Sequence, residues 1–209
     1  MSIVDRVKNI LMSPVTEWEV IAKEPATPSA LLTSYAAPLA TIAAVSGMIS
    51  AVIFGALIAN MFGGVAGGAA AAVSTVSTIV SGIIGLALSL LLVFAMGHIV
   101  SALASSFGGK ADAAQGAKLI VYSGTPVWVA GFLGIIPVIG GLAVFAGLGY
   151  ACYLIAIGVR PVLGIPQDKT AGMTIVTLLI YVVGAIVIAG INFAISAFGM
   201  IASSAATGI

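Results

Sequence analysis

His98 is the only histidine among 209 residues, and it falls in an apolar run shortly before the polar stretch that opens at Ser105. An ionisable ring at membrane depth could hold a proton or bind a ligand. A relay needs a second ionisable group, and no Asp or Glu interrupts the long apolar runs. A neutral imidazole that bonds an adjacent helix or reaches the headgroups is the simpler expectation. Tyr122, Tyr181 and Asn192 also fall in apolar runs, where hydrogen bonding between helices suits them better than substrate binding. Pro126 and Pro137 bracket a short segment. A helix broken there could free backbone groups for an ion or solute, although a packing kink needs no ligand. Arg160, Asp168 and Lys169 could meet anionic headgroups or a partner, or form an ordinary solvated loop.

The chain offers little else for chemistry. Cys152 is the single cysteine, so neither an intrachain disulfide nor a cysteine-based metal site can form. The glycine-rich 63–68 stretch lacks the spacing and lysine of a phosphate loop. No nucleophile–base pair, carboxylate pair or metal-ligand cluster stands out. An enzyme, a cofactor and a metal site are not expected, and a net charge of +1 argues against nucleic acid.

The elements that must carry these residues follow from composition. The chain is 61% hydrophobic and 6% charged, with a mean hydropathy of +1.28. Too few charges are present to cover a water-exposed globule, so most of the surface must face lipid. After Glu24 the next charged residue is Lys110, and residues 119–159 and 170–209 carry none. Backbone in hydrocarbon must satisfy its own hydrogen bonds, and without apolar–polar alternation helices are favoured over a barrel. The expected fold is all-α, a five-helix membrane bundle over 31–62, 75–103, 119–136, 142–159 and 171–198, with a tail over 201–209. A tight turn is expected at 137–141, and Arg160-Pro161 is expected to stop the fourth helix.

Residues 1–30 carry no apolar core typical of a cleavable leader and read as an amphipathic segment. Ser2 can cap a short helix with Asp5, whose apolar face holds Ile3, Val7, Ile10 and Leu11 opposite Arg6 and Lys8. Pro14 starts a second helix, with Val15, Trp18, Ile21 and Ala22 on its apolar side. Glu17, Glu19, Lys23 and Glu24 are expected to stay wet, with Trp18 at headgroup depth and the segment lying on the membrane surface.

With five crossings, Arg6, Lys8, Lys23, Lys110, Lys118, Arg160 and Lys169, all the basic residues, share one side. The positive-inside rule then places the N-terminus in the cytosol and the C-terminus outside. Small residues let helices approach closely in lipid. Ala43, Gly47, Ala51, Gly55 and Ala59 recur at four-residue spacing, and so do Ala143, Gly147 and Ala151. These rows suit packing within the bundle, or else between copies of the chain.

From Tyr122 onward several stretches are distinctive: 122–128 (YSGTPVW), 136–141 (IPVIGG), 150–154 (YACYL), 158–163 (GVRPVL) and 165–172 (IPQDKTAG). Together with Pro14, Trp18, Ile21 and Glu24 they resemble the Yip family, and especially its bacterial branch. That resemblance implies a five-helix membrane fold with a cytosolic N-terminus. Eukaryotic members act in vesicle traffic and bind Ypt/Rab GTPases or one another, through a long N-terminal region with an acidic aromatic motif. Only about 30 residues precede the first apolar run here, which disfavours Rab-type GTPase binding and favours a bacterial inner-membrane protein. The expected function is a membrane scaffold or organiser that binds membrane proteins, lipids or its own copies through helix faces. The alternative is a channel or transporter for a small neutral solute.

Overall fold

The computed structural model describes residues 1–207; the side chains of 58–60, 62–74, 137, 196 and 199–207 lie outside what it describes. Among the described residues every regular element is helical. Two short helices come first, α1 (Ile3–Met12) and α2 (Pro14–Lys23), followed by the single turn α3 (Pro28–Leu31). The long helical stretch α4 (Ala37–Ala104) carries the first two crossings, and α5 (Ala113–Ser123) with α6 (Thr125–Gly131) builds the third. The fourth and fifth crossings lie in α7 (Pro137–Leu163) and α8 (Thr170–Thr207). Five segments are long and apolar enough to cross a bilayer: Pro28–Leu57, Thr75–Phe107, Ala113–Ile135, Val138–Leu163 and Gln167–Ile195. The all-α, five-crossing expectation holds.

Local chemistry explains the helix ends. Ser2 accepts the backbone N–H of Asp5 at 3.1 Å and starts α1, while Pro14 at the first position starts α2. Asp112 and Gln115 form a reciprocal capping box that starts α5 at Ala113. The expected start at 119 was late because Gln115 and Lys118 read as loop residues. Leu32–Ala36 forms a π-helical turn just before Pro38. Proline donates no N–H and crowds the carbonyl four residues back, and a wider turn accommodates that.

At the other end, α7 runs through Pro161 to Leu163 and stops at Gly164, which takes φ +65°. A proline in the last turn removes a bond from carbonyls that are losing partners anyway, so it did not stop the helix where expected. The expected turn at 137–141 is also helical, since α7 opens at Pro137.

Helical hydrogen bonding continues across the gap between the expected spans 31–62 and 75–103. A straight helix would hold Met48 and Gly82 about 50 Å apart. Yet a β-carbon on Gly82 would collide with the Met48 side chain, so the two crossings of α4 lie side by side. Spans two and three meet even more tightly. A β-carbon on Gly116 would fall 2.0 Å from the carbonyl oxygen of Gly97. Small residues thus set the helix spacing, as lipid-embedded packing requires.

Candidate functional site

The N-terminal helices are packed onto one end of the bundle. Arg6, 6% exposed, points from α1 between α2 and the third span. Its guanidinium forms ion pairs with Glu17 of α2 and with Glu24 just beyond it, and lies 5.3 Å from the ring centroid of Tyr122. Burial works against the charged guanidinium, but the Glu24 hydrogen bond and nearby negative charges outweigh it, and Arg6 titrates above its ordinary value. Tyr122 meets Tyr35 edge-on at 4.9 Å, and Tyr35 exchanges a 3.0 Å hydrogen bond with Thr125. The chain from α1 to the break between α5 and α6 is therefore continuous.

Two further side chains finish the N-terminal helices. Tyr150 of α7 donates to the Leu11 carbonyl at 3.0 Å, in the last turn of α1. Lys118 of α5 donates to the carbonyl of Glu24 and reaches that of Ala22 at 3.5 Å, at the end of α2. Carbonyls at a helix C-terminus have no partners within the helix, and a cation there also suits the helix dipole. The bundle thus supplies the caps that α1 and α2 lack in their own sequence. Below them Ile10, Trp18 and Ile21 join the hydrophobic core with Leu119, Leu154 and Val159.

This arrangement corrects two expectations within the first 30 residues. Glu17 is 5% exposed and Trp18 2% exposed, so neither the wet carboxylate nor the headgroup indole is found. Of the expected apolar faces, Ile10, Trp18 and Ile21 are buried against protein, whereas Ile3 and Val15 are exposed. Lys8, Glu19 and Lys23 are exposed, as expected.

The basic residues converge at this end. Lys110 sits by Gly164, and the Lys169 amine lies near Gly108. Arg160 lines a groove with Val15 of α2. Lys8 and Lys23 belong to the N-terminal helices themselves.

The sequence-derived candidates scatter. His98 is exposed, its Nδ1 lies 3.0 Å from the Phe94 carbonyl, and its ring meets that of Phe94 at 4.5 Å. Tyr122 sits in the Arg6 cluster. Pro126 presents its carbonyl to Gly147, where a β-carbon would come within 2.8 Å of it. Asn192 bonds the Ile188 carbonyl at 2.9 Å and packs on Gly85. Arg160, Asp168 and Lys169 are exposed, the last two in the turn Gln167–Lys169. Pro137 and Ala59 have side chains outside those described.

The small-residue rows divide. Ala43 meets Gly131, and Gly47 faces Gly134, so this part of the row packs the first span on the third. A β-carbon on Gly55 would meet nothing within 4 Å among the described residues. Ala51 lies between spans one and two. On α7, Ala143 and Gly147 pack toward the third span, and Ala151 lines a cavity with α8.

Sequence reasoning missed the Arg6–Glu17–Glu24 set and the capping by Tyr150 and Lys118. A signal was present: Arg6 interrupts an apolar helical face one turn before Ile10, and Lys118 stands inside the apolar run 116–122.

No curated protein and no solved structure matches the chain. A family model described as the Yip1 domain matches residues 8–204, a range that takes in all five crossings and most of the N-terminal helices, and the chain, a multi-pass membrane protein, belongs to that family.

Proposed function

We propose that this protein is a non-catalytic membrane scaffold of the bacterial inner membrane, with its N-terminus in the cytosol and its C-terminus outside. Its partners would be other membrane proteins, lipids or further copies of itself. The observation that carries the reading is the locking of α1 and α2 onto the basic end of the bundle. That locking leaves Val4, Met12, Val15 and Val20 exposed, beside exposed Asp5, Lys8, Glu19 and Lys23. Exposed apolar side chains among mixed charges suit a membrane surface or a membrane-bound partner. The convergence of basic residues at this end supports a cytosolic placement. Crosslinking in native membranes, followed by isolation in nanodiscs, tests the reading. A defined partner or homo-oligomer is expected, and recovery of monomer alone under several mild conditions would overturn it.

A second reading, passage of a small neutral solute, draws on a 540 Å³ cavity lined by Thr78, Ser81, Ser89, Tyr181 and Asn192. Tyr122, Pro126 and His98 do not join this cavity. Liposomes that show no protein-dependent flux across a panel of neutral solutes would remove this reading.

A further inference from the structure

Ser123, the last residue of α5, is 2% exposed, and its hydroxyl has no hydrogen-bond partner among the described residues. Several other hydroxyls in the spans return to their own helix: Thr177 to Met173, Ser89 to Leu86 and Ser101 to His98, each at 2.8 Å. Ser123 also lines a 360 Å³ cavity walled by Val93, Ile120, Ile155 and Leu178 of four different spans. Only Ser123, Cys152 and Tyr181 bring a side-chain heteroatom to this wall.

The wall is mostly hydrocarbon, and an apolar hole of about 150 Å³ already takes benzene. On one flank the lining includes Leu148 and Val182, both exposed, so the cavity can fill from the lipid.

We infer that this cavity binds an apolar molecule dissolved in the bilayer that carries a single hydroxyl or carbonyl. That polar group meets the Ser123 hydroxyl, and the hydrocarbon body lies along Ile120, Ile155 and Leu178. The polar group supplies the partner that the helix leaves out, which an all-hydrocarbon occupant cannot do.

The test uses the full chain in nanodiscs and a dodecan-1-ol bearing a diazirine on its chain. Photolabel mapped by mass spectrometry is expected on the segments holding Ser123 and Cys152. Unlabelled dodecanol should displace it roughly tenfold better than dodecane, the worth of one hydrogen bond. Dodecanol should also slow modification of Cys152 by N-ethylmaleimide. Ser123→Ala should abolish the preference for the alcohol, Ser123→Thr should retain it, and Ala151→Phe should fill the space and end labelling. Label spread evenly over the lipid-facing residues, or equal displacement by alcohol and hydrocarbon in the unaltered chain, would overturn the inference. Because those readouts come from the native sequence, a variant that fails to fold does not decide the matter.

Discussion

The indole of Trp18 lies directly on Gly158, where a β-carbon would approach the ring to 2.7 Å and the Leu119 side chain to the same distance. Gly158 therefore makes the slot that seats α2 on the fourth span. Gly158→Ala should cost about 1–3 kcal/mol through overpacking and raise the rate at which protease cuts between Met12 and Lys23. An unchanged stability and cleavage rate would show that α2 is not seated there.

Arg6 is paired with two carboxylates, so what is removed matters more than whether it is removed. Arg6→Met strands a buried Glu17 and should cost about 3–5 kcal/mol. Adding Glu17→Gln and Glu24→Gln removes the stranded charges and should restore most of that loss. Unfolding in mixed micelles measures both. Equal destabilisation by the single and triple variants would mean that the charges are not mutually compensating.

Tyr150→Phe removes the hydroxyl that caps α1 and leaves the ring in place. The expected loss is about 1 kcal/mol, with faster amide exchange confined to the last turn of α1. Lys118→Met should do the same at the end of α2. Exchange that rises across the whole chain instead would contradict a local capping role.

Glycines in the spans are not equivalent. Gly116→Ala places a methyl group against the Gly97 carbonyl and should push spans two and three apart, destabilising by a few kcal/mol. A β-carbon at Gly55 or Gly149 meets no atom within 4 Å among the described residues. Gly55→Ala and Gly149→Ala should leave the isolated chain unchanged. If Gly55→Ala lowers the apparent mass in nanodiscs, the open end of the first row is a contact between copies.

The number and approximate placement of the crossings were legible because hydrophobic length alone decides them. Their ends were less so. Lys118 reads as a loop cation, yet it is buried because the carbonyls of Ala22 and Glu24 come to meet it. Likewise Arg6 reads as a solvated side chain until Glu17 and Glu24 are placed beside it, and nothing local specifies that pairing. Periodicity reports one helix at a time, while this site is made between helices far apart in sequence. The glycine rows were visible for the same local reason, but which neighbour each one faces was not.

The fluorescence of Trp18 in a Trp128→Phe background separates a protein-buried N-terminal pair from one lying among headgroups most directly. Buried as the structure places it, the indole should emit to the blue and resist quenching by both aqueous acrylamide and shallow brominated lipid. Strong quenching by the brominated lipid, with acrylamide weak, would put Trp18 in the bilayer interface and contradict the docking of α1 and α2 on the bundle.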